Sequence, residues 1–401
     1  MRTLMIAFEY PWPADSGSRL RLLSMVHGLG RCGSVDLFSV VPESRTDIDP
    51  PDGVRGLDRV GRVTVRPTSI GVAGLAHPLV PAEIPMHDRR RVTRALGRFA
   101  SGRYDLVWCF DVRAWILSGR PDLAPVVVDL GDLEDYKIRA RLAIGATVAG
   151  PAPRVRRIPG RAWSTLEAWR WARVQRAASR RVDRTLVCSE LDARRAVAGG
   201  ATRVAVVPNG YPSPDHPAGR PGVGTPPTVL FQGTLRYPPN VDAARWLVDE
   251  IAPGLRAEVP DVRIRLVGRG NPAQQSLHQP PATTLVGPVL DMATELGRAD
   301  VVVVPVRYGS GTRVKIIEAF AHRIPVVSTT LGAEGLGVED GRELLVADTA
   351  AGLATACARV LTDPGLRRRL VDAAYARYLD AFRSDVVEDR VAALAREVVA
   401  G

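Results

Sequence analysis

The sequence predicts an α/β protein made of two doubly wound parallel-sheet domains, on three observations. Short continuous apolar runs rich in β-branched residues, such as Val126–Leu130 and Val301–Pro305, have the length and composition of parallel strands buried on both faces. In each half of the chain these runs alternate with helical or irregular segments, the pattern of a sheet built from strand–helix–strand units. Between the halves lies Tyr211–Pro227, dense in proline and glycine and poor in apolar residues, as expected of an interdomain linker. The expected organisation is a first domain over 1–210, a linker over 211–227 and a second domain over 228–383.

The totals narrow the classes. The chain has 401 residues, 46% hydrophobic and 24% charged, which fits folded soluble domains. No apolar run approaches the roughly 20 residues that span a bilayer. Leu4–Phe8 is too short for the core of a signal peptide, so a cytoplasmic location is expected. Cys32, Cys109, Cys188 and Cys357 are widely spaced without a metal-ligand pattern, and buried reduced thiols are expected rather than a zinc site. The net charge of +11 comes almost wholly from arginine, since Lys137 and Lys315 are the only lysines. Such a surplus favours anionic partners such as nucleoside diphosphates or acidic lipid head groups. Zinc-finger, basic-zipper and RNA-recognition signatures are missing, so no nucleic-acid partner is expected.

In the first half, Leu4–Phe8 is a strand followed by Tyr10-Pro11-Trp12-Pro13-Ala14-Asp15-Ser16-Gly17-Ser18-Arg19 and a helix carrying Leu20, Leu23, Val26 and Leu29. Gly17 would let a ligand approach the backbone there and Arg19 could meet a phosphate. Further strands are expected at Val35–Val41, Leu106–Phe110, Val126–Leu130, Thr185–Cys188 and Val204–Val207. Asp132 follows the Val126 strand at its carboxyl end, where α/β sheets place chemistry; it would orient an acceptor hydroxyl or else cap the next helix. Residues 138–183 interleave arginines with Trp163, Trp169 and Trp171. That composition fits a contact with an anionic membrane surface through 154–184, or equally an exposed helix whose tryptophans pack on their own domain. Asp47-x-Asp49 matches a metal-binding pair in form, but its polar, proline-rich setting is that of a solvated loop.

In the second half, Val229–Gln232 ends in Gly233-Thr234-Leu235-Arg236, and Asn240 is a candidate cap for the helix that follows. Arg263–Val267 is a strand that runs into Gly268-Arg269-Gly270, and Asp291 is a candidate cap. Val301–Pro305 then enters Arg307-Tyr308-Gly309-Ser310-Gly311-Thr312, where the glycines permit conformations that a Cβ disfavours. Thr312 is expected to cap a helix bearing Ile316, Ile317, Ala319 and Phe320, which breaks before Pro325, and Ile324–Ser328 supplies the next strand. Arg313 and Lys315 put positive charge where the helix dipole is already positive, a conflict that an anionic ligand would remove. Glu318 and His322 project from the same face as Lys315, so a cation for phosphate and a carboxylate for hydroxyls would lie side by side. The plainer alternative is a surface helix with a Lys315–Glu318 ion pair.

With Gly309-Ser310-Gly311-Thr312-Arg313-x-Lys315-x-x-Glu318-Ala319-x-Ala321, Pro325-Val326-Val327 and Gly332-Ala333-Glu334-Gly335-Leu336 assembled, the chain resembles family 4 glycosyltransferases of the GT-B fold. Pro11-x-Pro13, Gly17-x-Arg19, Val207-Pro208-Asn209-Gly210 and Gly233-x-x-x-Tyr237-x-Pro239-Asn240 extend the resemblance over most of the chain. It implies two facing Rossmann-like domains with a cleft between them, the last helix, about 384–401, returning to the first domain. It also implies transfer of a sugar, with retention, from a nucleoside-diphosphate sugar to an acceptor hydroxyl, with no metal and no cofactor. On that likeness Glu318 binds the ribose. Lys315, Arg313 and the amides of Gly309, Ser310, Gly311 and Thr312 hold the diphosphate, with Gly17, Arg19, Gly233, Arg236 and Gly268 on the donor. Where many members have a histidine after the strand ending at Leu130 this chain has Gly131-Asp132, and Asp132 is the candidate on the acceptor side by its place at the sheet edge. The family usually carries glutamates eight positions apart, and eight before Glu318 stands Ser310. Its usual Arg and Lys after the Gly233 turn are missing, with Arg236 nearby and Lys315 as a stand-in. Two other classes stay open: a nucleotide-sugar epimerase, with Glu318 and His322 as its acid and base, and a non-catalytic nucleotide- or membrane-binding protein. Isomerised donor without acceptor would mark the first, and donor binding without turnover the second.

Overall fold

The computed structural model describes residues 1–42, 49–65, 77–84, 87–145, 160–219, 222–309 and 311–401. The chain forms two compact units, Met1–Gly210 with Asp385–Gly401, and Tyr211–Ser384.

The first unit is built on β1 (Arg2–Ala7), β2 (Ser34–Pro42), β3 (Leu57–Val65), β4 (Leu106–Phe110), β5 (Val126–Gly131), β6 (Arg184–Val187) and β7 (Val204–Val206). They form one parallel sheet in the order β3-β2-β1-β4-β5-β6-β7. Along β1, Leu4 and Ile6 join one apolar core while Met5 and Ala7 join the other, so the strand is covered on both faces. That is why its sequence is continuously apolar. The strand order reverses between β1 and β4, the point at which such sheets open a crevice at their carboxyl edge. β3 was not among the expected strands: it reads LDRVGRVTV, and at the sheet edge only Val63 and Val65 are buried, with Asp58 and Arg62 exposed. The Ser384–Ala400 helix packs on the Gly17–Gly30 helix, with Val387, Val391, Ala395 and Val398 buried in the same core as Met5 and Leu22. Gly28 allows this close approach, because a Cβ there would lie 2.6 Å from the Cβ of Val391. Arg31 adds an ion pair to Glu388 at 2.6 Å.

The second unit contains β8 (Thr228–Gln232), β9 (Arg263–Val267), β10 (Thr283–Gly287), β11 (Val301–Val304), β12 (Val326–Ser328) and β13 (Leu345–Val346). Their order is β10-β9-β8-β11-β12-β13, again parallel, with the reversal between β8 and β11. The Val301–Val304 strand is fully buried, as its composition requires.

The described part of 211–227 is not a free linker. Tyr211 N–H donates to the Phe382 carbonyl at 2.9 Å, Gly219 N–H to the His322 carbonyl at 2.8 Å and Gly224 N–H to Asp300 at 2.8 Å. Among the described residues no helix is long and apolar enough to cross a membrane. Cys109, Cys188 and Cys357 are buried and Cys32 is partly so, all as free thiols.

Candidate functional site

The carboxyl edges of β8 and β11 bring together the residues that the sequence marked in the second unit. β11 leads through Gly309, at φ +141°, and Gly311, at φ +72°, into the Val314–Ala321 helix. The helix starts later than expected: its N-cap is Arg313, with no side-chain cap, so Thr312 does not cap it and lies buried in the loop. Arg313 turns back over this loop, where Nη1 donates to the Gly311 carbonyl at 2.6 Å. A Cβ at Gly309 would stand 2.8 Å from Arg313 Nη2. Ser310 lies outside the described residues.

Lys315 points from the first helical turn toward the end of β8. Its Nζ donates to Asn240 Oδ1 at 2.9 Å and sits 4.4 Å from the centre of the Phe231 ring. Asn240 was expected to cap its helix, but that helix runs Pro238–Trp246 with Tyr237 as N-cap. Its amide instead bridges the Thr234 carbonyl, at 3.1 Å, to Lys315. Gly233, at φ +151°, makes room, since a Cβ there would lie 2.8 Å from Lys315 Nζ. Gly268 is required more strictly, because its Cβ would fall 2.0 Å from the Gly233 carbonyl oxygen. Burial, reinforced by the nearby Arg313 charge, pushes the Lys315 ammonium down to about 7.

One turn on, Glu318 accepts from Tyr211 Oη at 2.8 Å on Oε1 and from Gln232 Nε2 at 2.5 Å on Oε2. Burial raises this carboxyl to about 7, against the pull of Tyr211, Lys315 and Gln232. Neither Tyr211 nor Gln232 was marked in the sequence. His322, one turn further, is buried and its Nδ1 accepts from Ala218 N–H at 3.2 Å. It serves the fold there. Arg236 is exposed, with Nε donating to the Gly270 carbonyl at 3.1 Å.

In the first unit the expected phosphate arginine is committed elsewhere. Arg19 is buried, donating to the Pro13 carbonyl at 2.8 Å and pairing with Asp15 at 3.1 Å and Glu9 at 3.6 Å. Its loop thus carries its own carboxylates. Gly17 opens the helix, behind the Ser16 N-cap. Arg21 is the buried anchor: Nε and Nη2 each donate to Asp129 at 2.9 Å, and Nη1 donates to the Val207 carbonyl at 2.8 Å and to Asn209 at 3.0 Å.

Asp132 does not cap its helix, whose N-cap is Leu133. Its side chain is 40% exposed and faces Lys137 Nζ at 3.9 Å, which also approaches Glu134 at 3.6 Å. Alongside, Arg113 pairs with Asp111 at 2.5 Å and with Glu83 and Glu134 at 3.0 Å each. Burial penalises the Glu134 charge, but Lys137 and Arg113 outweigh it and hold the carboxyl down to about 2. Burial dominates at Asp111, raising it to about 6. Asp111, at φ +78° just after β4, is the N-cap of the Val112–Leu117 helix and accepts from Arg113 N–H. Asp47 lies outside the described residues, and Asp49 is exposed, 3.5 Å from Arg62. Among the described residues no group of three or more His, Cys, Asp or Glu is arranged to hold a metal.

Two parallel-sheet domains with these switch points are the GT-B class, and comparison with solved structures supports that class over the whole chain. Sucrose-phosphate synthase from Thermosynechococcus elongatus is 17% identical with a TM-score of 0.70, covering 100% of this chain and 99% of its own. Anabaena Alr3699/HepE, solved with UDP and glucose, is 15% identical with a TM-score of 0.64 and coverage of 99% and 100%. The lipopolysaccharide outer core galactosyltransferase WaaB is 12% identical with a TM-score of 0.59 and 99% coverage of both chains. Residues 226–363 match the family described as Glycosyl transferases group 1. An uncharacterized 44.6 kDa protein in the cps region of Klebsiella pneumoniae is 24% identical over 129 residues, 30% of this chain and 33% of that protein. The match therefore spans about a third of that relative's length.

Proposed function

We propose that the protein is a retaining glycosyltransferase that moves a sugar from a nucleoside-diphosphate sugar, with UDP as the favoured carrier, to an acceptor hydroxyl. The observation that carries this is the placement of Lys315 and Glu318 one helical turn apart on the helix that follows β11, with Lys315 on Asn240 and Glu318 on Tyr211 and Gln232. Lys315, Arg313 and the amides of the Gly309–Thr312 loop would hold the diphosphate, and Glu318 the ribose hydroxyls. The match of 226–363 to a glycosyltransferase family and the UDP complex of a structural neighbour support the same assignment.

In the reaction the bond from the anomeric carbon to the phosphate oxygen breaks, and charge builds on the departing diphosphate. A preorganised cation and amides stabilise that charge. The acceptor oxygen forms its bond to the anomeric carbon on the same face, and its proton passes to the departing phosphate oxygen. The balance is one nucleoside diphosphate and one glycoside, with no cofactor consumed. The acceptor would be held by the first unit, where Asp132 is the exposed carboxylate beside Lys137. An epimerase would need an acid and a base facing the sugar, and the His322 ring is committed to Ala218.

Calorimetric titration with UDP, dTDP, GDP and ADP, followed by sugar and acceptor panels on the preferred base, tests this. One diphosphate should bind, and its release from the sugar should depend on acceptor. Binding of none of the four, or isomerised donor without acceptor, would contradict it.

The basic segment extends the proposal. On the Gly160–Ser179 helix Trp163 and Trp171 are buried, whereas Arg161, Trp169, Arg173 and Arg176 are exposed, Trp169 to 46%. Arg154, Arg156 and Arg157 lie outside the described residues. This exposed face would rest peripherally on an anionic membrane. The protein is expected to sediment with phosphatidylglycerol vesicles and not with phosphatidylcholine vesicles, and Trp169→Ser with Arg173→Ser should abolish the difference. A variant that keeps the wild-type preference for phosphatidylglycerol vesicles would remove this contact.

A further inference from the structure

The carboxylate proposed for the ribose is already engaged on both oxygens, and one of its partners lies where the chain enters the second unit. Tyr211 is the first residue of that unit and Ser384 the last. The two meet: Ser384 N–H donates to the Tyr211 carbonyl at 3.1 Å, which also accepts from Tyr378 Oη at 3.2 Å, while Tyr211 N–H donates to Phe382. The Tyr211 ring is flanked edge-on by His322, with centroids 6.1 Å apart. Its main chain is thus fixed on two sides and its hydroxyl reaches Glu318 Oε1 at 2.8 Å, across 107 positions of sequence.

We propose that Tyr211 is a positioning residue for nucleotide binding: its hydroxyl holds Glu318 as an ionised acceptor, in one orientation, for the ribose hydroxyls. The premise is that Glu318 binds the ribose. A tyrosine O–H donates a stronger hydrogen bond to a carboxylate than to the carbonyl oxygen of a protonated carboxyl, so its presence favours the charged form. Gln232 does the same on the other oxygen. The charged and titratable groups around the pair are Lys315 and Arg313 on the helix itself, His322 at its end, and Tyr378 and Asp291 from the elements packed against Tyr211. Burial already outweighs the partners of Glu318, and removing one of its two hydrogen-bond donors raises the carboxyl further. A protonated Glu318 donates where the ribose also donates.

The test is the affinity of UDP across pH 6 to 9 for wild type, Tyr211→Phe, Glu318→Gln and the double variant, with inorganic pyrophosphate as the probe that lacks a ribose. Tyr211→Phe should weaken UDP about tenfold at pH 6.5, where the carboxyl protonates, roughly the size of losing one hydrogen bond to a charged group, and only about twofold at pH 8.5. Its pyrophosphate affinity should not change, and in the Glu318→Gln background it should have no pH-dependent effect. A loss equal at every pH, or shared by pyrophosphate, would make Tyr211 merely structural and overturn the proposal. Glu318→Gln with wild-type UDP affinity would overturn the ribose premise itself.

Discussion

Lys315→Ala is expected to lower turnover about 100-fold or more, the size of losing one preorganised donor to a developing oxyanion. The ammonium lies in the first turn of its helix, 2.9 Å from Asn240 and over the Phe231 face, and on the proposed function it meets the diphosphate there. In the empty site that charge is disfavoured, because burial and Arg313 both act against it. Removing it should therefore cost little stability. Lys315→Met, which keeps the stem over Phe231, should retain the wild-type melting temperature while losing turnover to the same extent. The same physics fixes a proton balance. Lys315 is held down to about 7 when the site is empty, so at pH 8 it is mostly neutral, and a bound diphosphate favours its charged form. Glu318, raised to about 7, is already mostly ionised at pH 8 and contributes little. UDP binding at pH 8 should take up a proton, seen as a dependence of the calorimetric heat on buffer ionisation enthalpy, and Lys315→Met should abolish that uptake. Near-normal turnover of Lys315→Ala would remove this residue from the mechanism.

Arg21→Ala is expected to destabilise the first unit by about 3–5 kcal/mol, the range for removing one partner of a buried ion pair. Asp129 is almost completely buried and takes both of its charged hydrogen bonds from Arg21, so the variant would leave a carboxylate without its cation. The same guanidinium ties the Gly17–Gly30 helix to the Val207 carbonyl and to Asn209, after β7. Urea unfolding followed by tryptophan fluorescence reads the effect. Arg21→Met combined with Asp129→Leu should lose less than Arg21→Ala alone, because no lone charge is left inside. A loss below about 1 kcal/mol for Arg21→Ala would show that the pair does not anchor the helix, since surface pairs are worth that little.

The central strand, glycine loop and helix were readable in the sequence because their signals are local. β-branched runs fit a strand covered on both faces, and Arg313 with Lys315 sit against the helix dipole. The contacts that complete the site were not readable. Tyr211 and Gln232 reach Glu318 across 107 and 86 positions, and only the folded sheet brings those positions together. Side chains able to do two things locally were misassigned for the same reason. Asn240 and Thr312 are both good helix caps by residue type, but Lys315 claims the first and the loop the second. Arg19 has the charge to meet a phosphate, and the ion pairs to Asp15 and Glu9 in its own loop are contacts that residue type alone does not reveal. β3 escaped notice because an edge strand need not be apolar on both faces.

The central claim is that a nucleotide's pyrophosphate lies against Lys315, and the most direct measurement is the ratio of UDP to UMP affinity in wild type and in Lys315→Met. Wild type should prefer UDP strongly, through the second phosphate, and the variant should bind the two nearly alike. An unchanged preference for UDP in Lys315→Met would place the pyrophosphate elsewhere and contradict the account.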